Sequence, residues 1–323
     1  MGVVLVTGGA GFIGSHLCDR LSADGKNVIG VDTFDDQYDP ARKRQNIKHA
    51  LTSPRFHLEE CSITDRGALA ELFSRYPIAQ VVHLAARTEA VSSLAEPMHY
   101  EQVNVQSMVY LLELCRLHGV ERFIFGSSWA VYGAQGRYPF REDHTVLHPS
   151  SPFAATKRAG ELQCLTYHQM YGLPVTCLRF FSVYGPRQRS NLAVHTFTRA
   201  LYDGREIPIY GTSNAARDYV YIDDVVHAIV AALDRQPPLG YEIVNIGSST
   251  PVTVSELIGA LAWTTGRKAR IRREPERLGD IRFACADVTK ANTLLNWHPD
   301  ITLGDGIRRF VQWFEASRCL QQT

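Results

Sequence analysis

The run Thr7-Gly8-Gly9-Ala10-Gly11-Phe12-Ile13-Gly14 constrains the fold of this chain more than any other segment. It follows an apolar strand pattern at Val3–Thr7 and opens an amphipathic helical pattern. Glycines at this spacing allow a tight turn, close approach of the backbone to a pyrophosphate, and close packing of helix on strand. The free N–H groups at the helix N-terminus favour the negative phosphates. The run therefore predicts a strand–turn–helix unit that binds a dinucleotide.

An aspartate ends the second predicted strand, as this kind of unit requires. Asp32 is suited to accept hydrogen bonds from both ribose hydroxyls and would repel a 2′-phosphate, which favours NAD over NADP. The nearby basic residues Arg42, Lys43 and Arg44 are interpreted as a solvated helix face. The alternative is a glycine turn and a loop aspartate with no ligand.

Short apolar runs alternate with amphipathic stretches through the first 180 residues, which indicates βαβ units and a parallel sheet. After Ser182 glycine and proline breaks become frequent and the elements shorter. The predicted fold class is α/β: a Rossmann-type doubly wound parallel sheet with a smaller mixed α/β substrate-binding domain. Residues 1–181 and about 219–247 form the first unit, and residues 182–218 and 248–323 the second. The predicted strands are Val3–Thr7, Asn27–Asp32, Phe56–Glu59, Gln80–Leu84, Arg122–Ser127 and Pro174–Phe180, and the predicted helices are Ile13–Ala23, Arg66–Arg75, Met98–His118, Pro152–Tyr171, Val252–Thr265, Val288–Leu295 and Leu303–Ala316.

Composition excludes several classes of partner. A formal net charge of +1 gives no field for binding nucleic acid or an anionic membrane, and no apolar run reaches the roughly 20 residues of a membrane helix. Seven scattered cysteines without a C-x-x-C pair argue against a disulfide framework and a zinc site. A strand that starts at once leaves no room for a signal peptide. We expect a cytoplasmic protein without a metal.

A second set of motifs lies where the fifth predicted strand ends. Gly126-Ser127-Ser128-Trp129-Ala130-Val131-Tyr132-Gly133 follows that strand, and Phe153 and Lys157 share one helix face because they are four residues apart. With His83-Leu84-Ala85-Ala86 and Arg179–Pro186, this set resembles the extended short-chain dehydrogenase/reductase superfamily. Within it, the chain is most similar to the NAD-dependent sugar-nucleotide epimerases and dehydratases, especially the UDP-glucuronate and UDP-glucose 4-epimerases.

The resemblance implies NAD as cofactor and a UDP-sugar as substrate, in a homodimer that pairs through the helix carrying residues 153–157. It makes Ser128 the hydroxyl that contacts the reacting sugar, makes Lys157 the lysine that binds the nicotinamide ribose, and puts Phe153 where a tyrosine is usual. Arg217 and Arg277 would hold the diphosphate and ribose, or else form surface ion pairs, and Tyr210 would pack the uracil or serve as plain packing. The implied cofactor-binding residues are Gly8, Gly11, Phe12, Ile13, Gly14, Asp32, Ser62, Ile63, Leu84, Ala85, Ala86 and Lys157. The implied substrate-binding residues are Ser128, Ser182, Arg187, Tyr210, Arg217, Arg277 and Asp280.

The two residues that directly follow Ser128 bear on which reaction is catalysed. The similar dehydratases carry Asp-Glu directly after the Ser/Thr, and the decarboxylases carry a Glu in the same stretch; here the residues are Trp129 and Ala130, which cannot transfer a proton. Epimerisation at C4 through a transient 4-keto sugar therefore fits best. The segment Asp32–Asn46 and the Phe181-Ser182 pair favour UDP-glucuronate. Val91, which stands where those enzymes often carry an arginine, leaves UDP-glucose and UDP-galactose open.

Phe153 lacks the phenolic oxygen that takes the sugar's proton in the similar enzymes. Without that base we expect NAD and substrate binding to persist and turnover to be very low, whether the phenylalanine is an engineered replacement or a natural divergence. The alternative is a non-catalytic protein that binds NAD and UDP-sugars.

Overall fold

The computed structural model describes residues 2–35, 39–134, 136–211, 215–275 and 281–322. Its main feature is a seven-stranded parallel sheet with the order β10-β6-β5-β4-β1-β2-β3. Strand order 3-2-1-4-5-6 defines the doubly wound Rossmann fold, so the predicted α/β class is confirmed. The strands of this sheet are β1 Val3–Thr7, β2 Asn27–Asp32, β3 Phe56–Glu60, β4 Ile78–His83, β5 Arg122–Ser128, β6 Val175–Phe180 and β10 Tyr241–Ile246.

The helices cover both faces of this sheet. Successive strand residues point to opposite faces, so in β1 Val4 and Val6 pack in one apolar cluster, while Val3 and Leu5 pack in the other. Burial on both faces explains why the strands read as continuous apolar runs. The helices are α1 Phe12–Ala23, α2 Pro40–Ile47, α3 Arg66–Arg75, α4 Ala90–Ala95, α5 Pro97–Glu101, α6 Ser107–Leu117, α7 Pro152–Tyr171, α8 Ala193–Asp203, α9 Ile222–Asp234, α10 Val254–Thr265, α11 Thr289–Leu295 and α12 Leu303–Gln322.

Two small sheets are built from strands that come after β6 along the chain. A three-stranded sheet joins β7 Ser182–Tyr184, β9 Ala216–Tyr221 and β11 Pro251–Thr253, and a parallel pair joins β8 Glu206–Tyr210 to β12 Arg270–Glu274. Strand β10 lies beside β6 in the large sheet. On these connections we propose the division into a large unit, 1–181 with about 219–247, and a smaller one formed by 182–218 and 248–323.

One predicted helix contains a π-helical turn. The pattern at Met98–His118 predicts a single helix, and the chain is helical from Pro97 to Leu117, with a π-helical turn at Gln102–Gln106 between α5 and α6. The turn contains the buried Asn104. Its Oδ1 accepts from the N–H of Arg87 (2.8 Å), and its Nδ2 donates to the carbonyl oxygen of Arg87 (2.9 Å) and to the hydroxyl of Thr156 (3.0 Å). These bonds fix the loop after β4 against α7. Such π turns are frequent at functional sites.

Within the described ranges, no helix combines the length and the apolar character that crossing a bilayer requires.

Candidate active site

A cavity of about 1170 Å³ opens at the carboxyl ends of the large sheet's strands, where Rossmann folds bind their ligands. Most of the predicted site residues line it together, although they come from separate parts of the chain. They are Gly8, Gly11, Phe12, Ile13, Gly14, Asp32, Ser62, Ile63, Leu84, Ala85, Ala86, Ser128, Phe153, Lys157, Ser182 and Arg217.

The turn after β1 has the shape of a phosphate cradle. Gly8 has a φ of +72°, a conformation that favours glycine, and a side-chain Cβ at Gly14 would lie 2.0 Å from the carbonyl oxygen of Gly8. A side chain at either position would therefore push the turn apart. This backbone, which leads directly into α1, fits the pyrophosphate of a dinucleotide.

Asp32 is held by three hydrogen bonds at the end of β2. Its Oδ2 accepts from the N–H of Ala10 (3.1 Å), and its Oδ1 accepts from the N–H of Phe34 (3.0 Å) and from Nζ of Lys43 (3.0 Å). A carboxylate has about four lone-pair sites, so one remains for a ribose hydroxyl. The second hydroxyl of the predicted pair needs another partner.

Lys43 corrects the interpretation of the basic run on α2. It was predicted to lie on a solvated face, but it is buried, and its Nζ also lies 2.7 Å from Oδ1 of Asp35. Burial alone would lower the pKa of Lys43, but the attraction of Asp32 and Asp35 outweighs it and raises that pKa. Lys43 lines the cavity beside Asp32, so its ammonium can donate to the ribose hydroxyl that Asp32 cannot serve.

Lys157 is buried on α7, and its Nζ donates to the carbonyl oxygen of Gly126 at 2.7 Å. Burial lowers the pKa of Lys157 to about 8, although Glu161 one turn further along α7 opposes that shift. The ammonium also lies 4.9 Å from the centre of the Phe125 ring. Lys157 is therefore fixed against β5 two residues before Ser128, and both residues line the cavity.

Glu161 and Arg179 form a buried ion pair beneath these residues. Nε and Nη2 of Arg179 each lie 2.8 Å from the carboxylate, which also accepts from the hydroxyl of Ser127 at 2.7 Å. Both charged side chains have 1% or less of their surface exposed. Since Ser127 precedes Ser128 and Glu161 follows Lys157 by one turn, the pair connects the strand and the helix that carry both site residues.

Ser128 ends β5 with its hydroxyl accepting from the N–H of Ala130 at 3.2 Å. Trp129 and Ala130 also line the cavity, and no proton-transferring group stands at either position. The Trp129 ring stacks on Phe181 with the ring centres 6.2 Å apart, and the Arg217 guanidinium lies 5.6 Å from the Trp129 ring.

Phe153 forms part of the cavity wall one turn before Lys157. Its ring meets that of Tyr100 edge to face, with the centres 6.5 Å apart. The Tyr100 hydroxyl donates to the carbonyl oxygen of Thr88 at 2.5 Å. This contact brings the loop after β4 close to Phe153.

Two predicted substrate residues do not line this cavity. Arg187 pairs with Asp19 at 2.7 Å, and Tyr210 ends β8 away from the cavity lining. Arg277 and Asp280 lie outside the described residues.

Sequence patterns missed an ion pair in the cavity wall. Arg189 Nη1 lies 3.4 Å from Oε1 of Glu89, and both residues line the cavity. Glu89 has a φ of +93°, which is rare for a side-chain-bearing residue. No local sequence signal marks a glutamate in that conformation, and the two residues are 100 positions apart.

Among the described residues, no group of His, Cys, Asp or Glu is arranged to hold a metal ion. A glycine cradle, an aspartate at the end of β2 and a serine–lysine pair at the end of β5 share one cavity. Together they define a Rossmann-type enzyme site for a dinucleotide and a second ligand.

The comparisons with known proteins agree with this class. Residues 4–247 match the family model described as "NAD dependent epimerase/dehydratase family". The chain belongs to this family, whose cofactor, NAD, is the one that the sequence predicts.

Similar proteins extend over nearly the whole chain. It is 38% identical to a UDP-glucuronate 4-epimerase of Thermodesulfobacterium geofontis over 97% of this chain and 96% of that protein. A UDP-glucose 4-epimerase of Thermotoga maritima, solved with UDP-glucose, aligns with a TM-score of 0.91 at 34% identity over 98% of this chain and 99% of that one. A tyrosine-to-phenylalanine variant of the UDP-glucuronic acid 4-epimerase of Bacillus cereus, solved with UDP-4-deoxy-4-fluoro-glucuronic acid and NAD, aligns with a TM-score of 0.93 at 32% identity over the same shares.

Proposed function

We propose that this protein binds NAD and a UDP-sugar in the described cavity and interconverts the two configurations at C4 of the sugar. One observation carries the proposal: Ser128 and the buried Lys157 lie in the same cavity as the glycine cradle and Asp32. A relative that is 38% identical is a UDP-glucuronate 4-epimerase, and a structural neighbour holds UDP-glucose. Both support a UDP-linked sugar.

The chain's own residues would bind and orient the reactants. NAD, when bound, supplies the hydride acceptor and donor for a cycle that oxidises C4 and then reduces it. The glycine cradle would hold the pyrophosphate, and Asp32 and Lys43 would hold the adenosine ribose. Ser128 would hydrogen-bond the C4 oxygen, and Lys157 would orient the nicotinamide ribose. Arg217 and Ser182 would contact the substrate from β9 and β7.

The residues beside Ser128 favour epimerisation over the related reactions. Dehydration and decarboxylation need an acid or base at a carbon neighbouring the keto group, and Trp129 and Ala130 supply neither. Epimerisation needs only removal and return of the proton on the C4 oxygen. Dehydratase and decarboxylase activities are therefore the less supported alternatives.

Phe153 would take the place of the tyrosine that removes this proton. A positioned general base contributes about 10²–10⁴-fold in rate, so its absence would leave turnover strongly impaired while binding persists. The tyrosine-to-phenylalanine variant solved with NAD and a substrate analogue supports the persistence of binding. The same residue favours the second candidate, a non-catalytic protein that binds NAD and UDP-sugars.

The sugar itself is either a hexuronate or a neutral hexose. The relative at 38% identity, a UDP-glucuronate 4-epimerase, and the Ser182 hydroxyl in the cavity support UDP-glucuronate. The neighbour with UDP-glucose supports UDP-glucose or UDP-galactose. The charges around the sugar end of the cavity bear on this choice.

Replacing Phe153 by tyrosine tests the function directly. The Phe153→Tyr protein is expected to epimerise at least one of UDP-glucose, UDP-galactose, UDP-glucuronate and UDP-galacturonate at about 10²–10⁴ times the rate of the original chain, measured by NMR of the sugar anomeric region. The matched control is Phe153→Tyr combined with Lys157→Met, which should stay inactive. If Phe153→Tyr binds both NAD and the UDP-sugar without a rise in rate, the non-catalytic function is the correct one.

We also propose that two copies pair through α6 and α7. These helices expose five apolar side chains between 38% and 69%: Val109, Leu117, Leu162, Met170 and Tyr171. An apolar surface of this kind marks a protein interface, and the occupant proposed is a second copy of this chain. A cytoplasmic location is proposed on the four buried thiols of Cys18, Cys115, Cys164 and Cys177.

A further inference from the structure

Glu89 occupies a strained position in the loop between β4 and α4. Its φ of +93° and ψ of 128° lie in a region that residues with a side chain rarely adopt. The two preceding residues are fixed by hydrogen bonds. The N–H and the carbonyl oxygen of Arg87 both bind the Asn104 side chain, and the carbonyl oxygen of Thr88 accepts from the Tyr100 hydroxyl. Such a conformation persists only where the surroundings determine it, which directs attention to what the Glu89 side chain contacts.

The Glu89 carboxylate is bound from three directions inside the cavity. It pairs with Arg189 at 3.4 Å, accepts from the Ser92 hydroxyl at 3.2 Å, and accepts a short hydrogen bond from the side-chain amide of Asn191. All four residues line the cavity. The Glu89 carboxylate is therefore a fixed negative charge in the cavity wall, and it largely neutralises the charge of Arg189.

This ion pair lies at the sugar end of the cavity. Thr88, the neighbour of Glu89, is bonded to Tyr100, whose ring contacts Phe153. Burial raises the pKa of Tyr100, and the charge of Glu89 raises it further, while Arg87 and Arg189 act in the opposite direction. The charges of Glu89 and Arg189 therefore both act on Tyr100, the residue whose ring contacts Phe153.

Two other cavity cations already face carboxylates, and the resemblance assigns Lys157 to the nicotinamide ribose and Arg217 to the diphosphate. Lys43 is bound by Asp32 and Asp35, and Arg87 pairs with Glu96 at 2.7 Å. Val91, two residues after Glu89, also lines the cavity and brings no charge. A carboxylate on the sugar would therefore meet Glu89 without a positive charge reserved for it, whereas a hydroxyl can donate to Glu89 and accept from Arg189.

We infer that Glu89 is a specificity-determining residue that disfavours a carboxylate on the sugar, so that the site prefers a UDP-hexose with an uncharged C6 over a UDP-hexuronate. This inference rests on the proposed function. It is opposite to the preference for UDP-glucuronate that the sequence favours. The sequence could not show the deciding contact, because that contact joins Glu89 to Arg189, which is 100 positions away.

Equilibrium binding tests it with the chain as it stands, since Phe153 keeps conversion slow during the measurement. Calorimetric titration of the NAD-loaded protein with UDP, UDP-glucose and UDP-glucuronate gives the contribution of each sugar relative to UDP alone. We expect UDP-glucose to bind at least about tenfold more tightly than UDP-glucuronate. Glu89→Gln, which keeps the size of the side chain and removes its charge, should reduce this ratio by about tenfold or more and leave UDP binding unchanged.

Glu71→Gln is the matched control, because it removes an exposed carboxylate that pairs with Arg75 outside the cavity lining. It should keep the ratio of the original protein. Equal or tighter binding of UDP-glucuronate by the original protein would overturn the inference, and so would a ratio that Glu89→Gln leaves unchanged. If none of the three nucleotides binds, the proposed function fails together with the inference.

Discussion

Lys157 donates a hydrogen bond of 2.7 Å to the carbonyl oxygen of Gly126, so a buried ammonium on α7 is fixed against the end of β5. That bond orients the lysine toward the cavity but does not compensate for its loss of water, since the pKa of Lys157 stays lowered to about 8. The site therefore contains a charge that opposes folding at neutral pH.

Lys157→Met is expected to stabilise the protein at pH 7 while removing activity from the Phe153→Tyr background. The folded-state pKa of about 8 lies below the ordinary value of 10.5, so the cost of the charge is complete below pH 8 and disappears as pH rises toward 10.5. The gain in unfolding free energy should be on the order of 1–3 kcal/mol at pH 7. Urea unfolding from pH 7 to 10 measures it, and a gain that stays constant with pH contradicts this explanation. Lys268→Met, at an exposed lysine, should change stability by under about 0.5 kcal/mol.

Asp32→Asn is expected to lower the preference for NAD over NADP by about tenfold or more. Asp32, Asp35 and Lys43 carry a combined charge of −1, and that charge repels a 2′-phosphate. Removing one carboxylate leaves the trio neutral. Titration of the protein after removal of its NAD measures both affinities. Asp24→Asn, which changes only the surface pair with Arg20, should keep the original preference.

Gly14→Ala is expected to weaken NAD binding and to lower the unfolding free energy by about 2 kcal/mol or more. The new methyl group would lie 2.0 Å from the Gly8 carbonyl oxygen, so the turn must move. Gly259→Ala is the matched control, because a Cβ at this position of α10 meets nothing within 4 Å. It should stabilise the helix by about 1 kcal/mol. Thermal unfolding and NAD titration of both variants separate the two effects, and equal behaviour would contradict the tight-turn argument.

Glu161→Gln is expected to destabilise the protein by about 3–5 kcal/mol, because it leaves the Arg179 guanidinium buried without its counter-charge. Denaturant unfolding measures the loss. The comparison is Glu71→Gln, which breaks an exposed pair with Arg75 one helical turn away and should cost under about 0.5 kcal/mol. A small cost at both positions would mean that water reaches the Glu161 carboxylate.

Leu162→Glu is expected to convert the proposed dimer to monomers. A charge on the apolar surface of α6 and α7 would be buried without a partner if two copies still paired. Sedimentation velocity at micromolar concentration measures the mass. Leu51→Glu, at another exposed leucine, should leave the mass unchanged. A monomer in the original protein would disprove the pairing.

The sequence was sufficient for features that depend on local pattern. The glycine turn, strands β1 and β2 and helix α7 were predicted at or within a residue of their bounds, since apolar periodicity and glycine spacing determine them. The cavity also contains the predicted Ser128 and Lys157.

Features that depend on distant pairing could not be predicted in the same way. Lys43 was misinterpreted because charge on a helix is usually solvated, and only the folded chain shows the two carboxylates around it. The π-helical turn at Asn104 has the same origin, since the Asn104 side chain forms hydrogen bonds with Arg87 and Thr156 from other segments. The pairing of Glu89 with Arg189 likewise leaves no local trace.

Strand β10 has a consequence for how the chain matures. It completes the large sheet beside β6, yet it is synthesised about 60 residues after it. Until then β6, every residue of which is buried in the finished protein, presents an unpaired strand edge whose backbone N–H and C=O groups can pair with another nascent chain. That edge is therefore covered only after residue 246 has left the ribosome. A chain truncated near residue 181 would keep the edge exposed and would stay prone to aggregation.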